Sequence, residues 1–335
     1  MKVVKPKHLK KGDLVGLISP ASTPDNLEKI NKSVEYFEKL GYRVIVGKNV
    51  GKVRGYLAGT DDERLEDFHS MFSNKDVKAI FCVRGGYGTI RFLDKINFNL
   101  IKKNPKIFVG YSDITALQLA IFHKTGLITF AGPMAAVDFS GDVDPFTEEN
   151  FWKMVTSTKP FGKFKNPQGE RISCITKGKA KGRLLGGNLS LVCSLLGTPF
   201  IPKFDKAILF LEEVEEKPYR IDRFFAQLKL AKIFDKVNGI VLCNFTDCEE
   251  TDPTKKSLKL NDVVSDYFTG LKKPVVYNLI HGHIKSKNTI PIGAMASVDC
   301  SKSSVEIIES CVVEIFKNCR RIKMSRCCKI NLILC

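Results

Sequence analysis

No apolar run in this 335-residue chain reaches the ~18 residues that a membrane span needs. Its opening residues, Met1-Lys-Val-Val-Lys-Pro-Lys-His8, lack the apolar core of a secretory signal. The expectation is a cytoplasmic protein with no membrane partner. Also missing are any Cys-x-x-Cys pair and any histidine at ligand spacing from the terminal cysteines, so neither a zinc site nor another metal is expected. The glycine pattern GxGxxG and the Gly-Lys-Ser/Thr of a phosphate loop are absent, and no cofactor is called for. Zinc-finger, RRM-like and helix-turn-helix signatures are absent too. The net charge of +17 is therefore read as a lysine-rich solvated surface, not a nucleic-acid footprint.

What is present is ordinary for a globular protein: 44% hydrophobic and 27% charged residues, which exclude disordered and fibrous classes. The length suits two domains, taking roughly 100 to 200 residues for each. Of the 11 cysteines, Cys82, Cys174, Cys193, Cys243 and Cys248 are dispersed and read as buried thiols of a reducing compartment. The rest crowd the C-terminal end, where Ile315 to Cys335 is basic, free of acidic residues and read as an appended tail.

Along the first half, short apolar runs alternate with stretches of helical period. Asp13 to Ser22 reads as a strand followed by a Pro-containing turn, Tyr42 to Val46, Val77 to Val83, Lys106 to Val109 and Leu127 to Phe130 read as strands, and Thr60 with Glu63 reads as a capping box that opens a helix. Such alternation implies βαβ units and a largely parallel sheet. The domain layout read from it is residues 1–150 as an N-terminal α/β domain, 151–180 as a linker around a helix at Thr147 to Thr156, and 181–314 as a smaller mixed α/β domain, followed by the 315–335 tail. In the second half Gly182 to Ser190 is expected to turn into a helix, Lys206 to Leu211 to be a buried strand, and Ile290 to Val298 with Ser304 to Ile308 to form a closing hairpin.

Ligands of open parallel sheets bind at the carboxyl ends of the strands. Two loops are placed there, Arg84-Gly-Gly-Tyr-Gly88 and Gly110-Tyr-Ser-Asp113. Glycine's missing Cβ lets backbone amides of the first loop approach a substrate oxygen closely, or simply permits a tight turn. In the second loop a serine precedes a helix, where free N–H groups and the dipole favour developing negative charge. Nucleophilic hydrolases need that arrangement, and an ordinary N-cap also produces it. Position 114 is Ile, so the Gly-x-Ser-x-Gly elbow of α/β-hydrolases is not formed.

Together these loops resemble the LD-carboxypeptidases, a serine peptidase family that also includes microcin C self-immunity proteins. The resemblance rests on Ile18-Ser-Pro-Ala-Ser22, Tyr56-Leu-Ala-Gly-Thr60 with Arg64-Leu-Glu-Asp67, the two glycine loops, Gly182-Arg-Leu-Leu-Gly-Gly-Asn188, Leu211-Glu-Glu-Val214 with Pro218-Tyr-Arg-Ile-Asp222, and Gly282-His283 before Pro291-Ile-Gly293. It implies a flavodoxin-like or Rossmann-like parallel-sheet domain followed by a smaller mixed α/β domain. It also implies a catalytic triad of Ser112, Glu212 and His283, with Glu213 and His281 as rivals for the last two roles. The oxyanion hole falls on the amides of Gly86 and Asp113. Arg84, Gly85 and Tyr87 fall to substrate binding, Arg84 facing either a substrate carboxylate or a structural partner. The implied substrate is a small peptide, a murein tetrapeptide that loses its terminal D-alanine, and the implied assembly is a homodimer. An antibiotic-cleaving immunity peptidase and a non-catalytic muropeptide- or nucleotide-binding α/β protein are the alternatives. The pattern departs from the family at His281, at Ile284-Lys-Ser-Lys287 and in the tail.

Overall fold

The computed structural model of the protein describes residues 2–314; the Cys-rich tail lies outside the described residues. The first half supplies β1 (Leu14–Ile18), β2 (Arg43–Val46), β3 (Val77–Cys82), β4 (Ile107–Gly110) and β5 (Thr129–Ala131). Strands covered on both faces must be apolar throughout. Every residue of β4 is buried, as is every residue of β1 after Leu14. All five are mutually parallel, ordered β5-β4-β3-β1-β2. That is the flavodoxin-like order, with its switch point between β1 and β3. Helices Glu28–Lys39, Asp61–Ser73 and Thr115–Thr125 make the crossovers. Thr60 and Glu63 form the expected capping box of the second.

The second half supplies β6 (Gly162–Lys163), β7 (Ser173–Thr176), β8 (Lys179–Asn188), β9 (Ile208–Val214), β10 (Gly239–Thr246), β11 (Val275–Tyr277), β12 (Ile290–Ile292), β13 (Met295–Asp299) and β14 (Ser304–Ile307). Its sheet runs β6-β14-β13-β8-β9-β10-β11-β7. The central strands β8 to β11 are parallel, and the flanking ones antiparallel. Two α/β layers thus lie in sequence, the first parallel-rich and the second mixed, as expected.

Three local readings are corrected. The expected helix does follow, as Leu189–Leu195, but Gly182 to Asn188 ahead of it is the end of a ten-residue strand. Its glycines hide the strand pattern because the backbone needs them: Gly186 has φ +143°, and a Cβ there would run into the Phe210 carbonyl. Ile290 to Val298 is not one hairpin arm. Gly293, at φ +93°, turns the chain from one sheet to the other, so that β12 pairs antiparallel with β5 of the first sheet while β13 pairs with β14. Cys174 is exposed, on edge strand β7, whereas the other four dispersed thiols are buried. Residues 151–180 contain the end of helix Pro145–Thr156 together with β6 and β7, which border the second sheet.

Candidate active site

The turn after β4 departs from ordinary backbone geometry. Ser112 has φ +64°, a left-handed conformation that an L-residue adopts at a cost of about 1–2 kcal/mol. An N-cap residue has extended backbone, and its side chain accepts from the helix. Ser112 does neither, and among the described residues its Oγ makes no hydrogen bond. Instead its side chain packs on the glycine loop. A Cβ on Gly85 would lie 2.9 Å from Ser112 Cβ and 3.1 Å from its Oγ, so only glycine fits.

Asp113 ties the two loops together. Its Oδ2 accepts from the Thr89 N–H at 2.9 Å, and its carbonyl accepts from Thr89 Oγ1 at 2.7 Å. Burial holds its carboxyl above the usual range despite these bonds. Gly86, at φ +107°, presses on Ser22, and among the described residues nothing accepts from its N–H. The buried Arg64 guanidinium donates to the carbonyls of Pro20 (2.7 Å) and Gly88 (2.9 Å), fixing the same loops from below.

The second domain brings the carboxylate and the imidazole. Successive side chains of a strand point to opposite faces, and this separates the two glutamates at the end of β9. Glu213 turns to the helix Leu189–Leu195, accepting from Asn188 Nδ2 (2.6 Å) and the Ser190 N–H (2.7 Å). Burial, and then the charge of Glu212, raise its carboxyl to about 7. Glu212 turns the other way and accepts at Oε2 from His283 Nδ1 at 2.8 Å. That bond places the proton on Nδ1 and leaves Nε2 as the basic nitrogen. Burial alone would lower the His283 imidazole; the hydrogen bond to Glu212 and its charge outweigh burial and raise it. Gly282, at φ +120°, is what allows the approach, since a Cβ there would stand 2.6 Å from Glu212 Oε2.

His281 is the other kind of histidine. It is fully buried, its Nδ1 donates to the Asn288 carbonyl at 2.8 Å, and burial lowers it to about 4. It stays neutral and holds the loop.

The halves meet around Ser112. Thr115 Oγ1 accepts from the Asn188 N–H at 3.1 Å. The Tyr111 ring meets His283 edge-on, with centroids 5.1 Å apart. Lys287, buried and paired with Asp138, donates to the Tyr111 hydroxyl at 3.3 Å. Ser112 and His283 are thus neighbours through Tyr111, although among the described residues no hydrogen bond joins them. A cleft of about 370 Å³ opens beside His283, lined by Tyr111, Asp138, Thr147 and Lys287 among others.

Of the other residues singled out in the sequence, Arg84 is occupied, donating to Asp25 (2.7 Å) and to the Thr23 carbonyl (3.0 Å). Tyr87 is exposed. Ser22, Thr115 and Lys287 had no role in the sequence reading. Ser22 carried a signal as the last residue of the quoted Ile18 to Ser22 segment, and Lys287 as the last of the Ile284 to Lys287 departure. Among the described residues no group of three or more metal-ligating side chains converges, and no helix is long and apolar enough to cross a membrane.

A strained serine beside a glycine loop and a carboxylate–histidine pair, brought together from two successive α/β domains, define a hydrolase-like architecture. Residues 15–132 match the LD-carboxypeptidase N-terminal domain, and residues 181–298 match the LD-carboxypeptidase C-terminal domain. The chain belongs to the LD-carboxypeptidase family. It is 42% identical over 314 residues to a probable murein peptide carboxypeptidase of Bacillus subtilis, covering 92% of this chain and 96% of that protein. The microcin C7 self-immunity protein of Escherichia coli is 30% identical, over 89% of this chain and 94% of its own. The crystal structure of the muramoyltetrapeptide carboxypeptidase of Oxalobacter formigenes superposes with a TM-score of 0.77 at 28% identity, covering 88% of this chain and 97% of that one.

Proposed function

We propose that this protein is a serine-type LD-carboxypeptidase that releases the terminal D-alanine of murein tetrapeptides in cytoplasmic peptidoglycan recycling. The observation that carries this reading is the Glu212–His283 hydrogen bond at 2.8 Å, with the His283 ring against Tyr111, the residue before the strained Ser112. The carboxypeptidase names of its relatives support the substrate.

In this reading His283 Nε2 takes the Ser112 proton as Oγ attacks the carbonyl carbon of the diaminopimelate–D-alanine bond. Glu212 orients the ring and compensates its charge. The oxyanion is received by the N–H groups of Gly86 and Asp113. Collapse breaks the C–N bond, His283 returns the proton to the leaving amine, and water releases the acyl group by the same route. No metal enters these steps, and a homodimer is the proposed assembly.

The test is mass spectrometry of L-Ala-D-Glu-meso-diaminopimelate-D-Ala incubated with the native protein and with Ser112→Ala. Loss of one D-alanine with the native protein alone establishes reaction and nucleophile; loss with both removes Ser112 from the mechanism. The likeness to the self-immunity protein favours a second reading, an antibiotic-conjugate peptidase with the same triad. Cleavage of an acyl-sulfamoyl nucleoside, with the tetrapeptide left intact, would select it.

A further inference from the structure

The helix Thr115–Thr125 begins beside the candidate active site and ends, about 16 Å away, on a second cavity. Its volume is about 760 Å³, against about 370 Å³ for the cleft beside His283. Lys181 and Arg183 enter it from the first half of β8, Ala207 from the residue before β9 and Asn238 from the residue before β10. It therefore lies at the amino ends of strands whose carboxyl ends carry Asn188 and Glu212. Phe122 and His123 reach it from the first domain, so both domains line it. Its walls are fixed by the backbone. Asn238 Nδ2 donates to the Lys181 carbonyl at 2.8 Å, and the Asn238 N–H to the Ala207 carbonyl at 2.7 Å. Lys206 is held at φ +58°, a strained conformation for an L-residue, with its N–H on the Lys236 carbonyl at 2.8 Å. A Cβ on Gly182 would stand 2.3 Å from the Lys206 carbonyl oxygen, so strand and loop touch backbone to backbone.

The cavity is cationic at its rim and apolar inside. Lys181, Lys203 and Lys206 are exposed there, and among the described residues none of their ammonium groups has an ion-pair or hydrogen-bond partner. Arg183 is occupied by Glu309 (3.1 Å) and the Gly293 carbonyl (2.8 Å). Burial, then the charges of Lys124 and Lys203, lower the His123 imidazole, as an uncompensated positive wall does. Phe122, Leu185 and Met295 form the apolar side, and Asp205 is the one acidic lining residue. Free lysines bind phosphate groups as point charges, an apolar wall at a domain boundary takes a ring, and a carboxylate accepts from hydroxyl groups. A fatty carboxylate brings one charge and no hydroxyl, and inorganic polyphosphate leaves the apolar wall unused. The basic 315–335 segment is unsuited to a cationic rim. We propose that this cavity binds a nucleoside polyphosphate, with its phosphates on Lys181, Lys203 and Lys206, its base against Phe122 and Leu185 and its ribose hydroxyls toward Asp205. The site is separate from the candidate active site and independent of which bond is cleaved there.

The experiment is calorimetric titration of the full chain with ATP and with inorganic triphosphate, in the native protein, Lys203→Glu, Lys181→Glu, Lys203→Arg and Lys287→Ala. ATP binds once per chain and more tightly than triphosphate. Lys203→Glu and Lys181→Glu each weaken it by about tenfold or more, the scale of one lost charge-assisted bond. Lys203→Arg retains the affinity, and so does Lys287→Ala, which alters only the cleft beside His283. No ATP binding, or binding that both glutamate variants leave unchanged, overturns the site. ATP affinity lost in Lys287→Ala places the nucleotide in the other cleft and overturns it as well. Equal affinity for triphosphate overturns the nucleoside assignment. Sedimentation of the same variants tests the other occupant, a second copy of this chain: a dimer that Lys203→Glu separates, with no ATP bound by the native protein, makes this face a contact between copies and overturns the proposal.

Discussion

The His283 imidazole is bound through Nδ1 to a glutamate 71 positions earlier in the chain, and Glu212 Oε2 is that partner's atom, at 2.8 Å. Burial works to lower this histidine, and the Glu212 bond and charge, followed by the charge of Glu213, raise it. In Glu212→Gln the charge is gone and burial remains, so the imidazole titrates lower. NMR titration of His283 in a Ser112→Ala background checks the sign: the resonance should titrate above the usual histidine value near 6.5 with Glu212 present and below it in the double variant. An unchanged titration would uncouple the two residues. The acid limb of kcat/KM, which reports the free base, should follow the same direction.

Glu213 behaves oppositely to a salt-bridged carboxylate. Its folded-state value of about 7 stands above the unfolded one, so the folded protein binds more protons between about pH 4.5 and 7 and stability falls as pH rises through that window. Glu213→Gln keeps an acceptor for Ser190 and removes the titration. Urea unfolding across pH 5 to 8 should show a flatter profile in the variant, with activity retained. A steeper profile, or loss of activity as complete as in Glu212→Gln, would exchange the two glutamates' roles.

Why two adjacent glutamates differ is not legible from residue type. Only the pleat, with the position of helix Leu189–Leu195, distinguishes them. The parallel first sheet was legible because strands buried on both faces leave uninterrupted apolar runs, β4 being an example. The residues of β12 were read as strand but its place in the first sheet was not legible, because pairing with a strand more than 150 residues upstream leaves no local signature. The bridge that Ser22 Oγ makes between the Tyr56 carbonyl and the Tyr87 N–H was hidden for the same reason: its partners lie 34 and 65 positions away. His281 and His283 share a loop, and it is the direct bond to Glu212, made by His283 and not by the more deeply buried His281, that separates a basic ring from a neutral structural one.

That difference gives His281 its own test. Its folded-state value near 4 lies below the unfolded one, so the unfolded chain binds the extra proton and stability is lost as pH falls from about 6.5 toward 4. His281→Asn retains a donor for the Asn288 carbonyl. The variant should lose less stability than the native protein between pH 6.5 and 4, measured by urea midpoint, while its pH–rate profile keeps the native limb. A shifted limb would make His281 the base.

Gly282→Ala should separate geometry from folding. The added Cβ meets Glu212 Oε2 at 2.6 Å in a backbone conformation that alanine resists, so the strain is roughly 1–3 kcal/mol. That is tolerable for a domain, but it moves the carboxylate relative to His283, and displacements of about 1 Å lower rates by roughly 10²-fold. The expected outcome is a soluble protein with kcat depressed far more than KM is raised. Native kcat would show that the Glu212–His283 contact does not matter to turnover.

Ser112 offers the sharpest contrast between stability and activity. Holding an L-residue at φ +64° is unfavourable by about 1–2 kcal/mol, whereas glycine adopts that conformation freely and loses about 0.5–1 kcal/mol through the greater freedom of its unfolded chain. The first effect is the larger. Ser112→Gly should therefore be more stable than the native protein by about half to one kcal/mol and wholly inactive, whereas Ser112→Ala keeps the strain and should be inactive at near-native stability. Thermal or urea unfolding of the two variants side by side measures the difference directly. If Ser112→Gly were the less stable, the backbone at this turn would not be strained, and the case for a serine held in a catalytic conformation would lose its structural support.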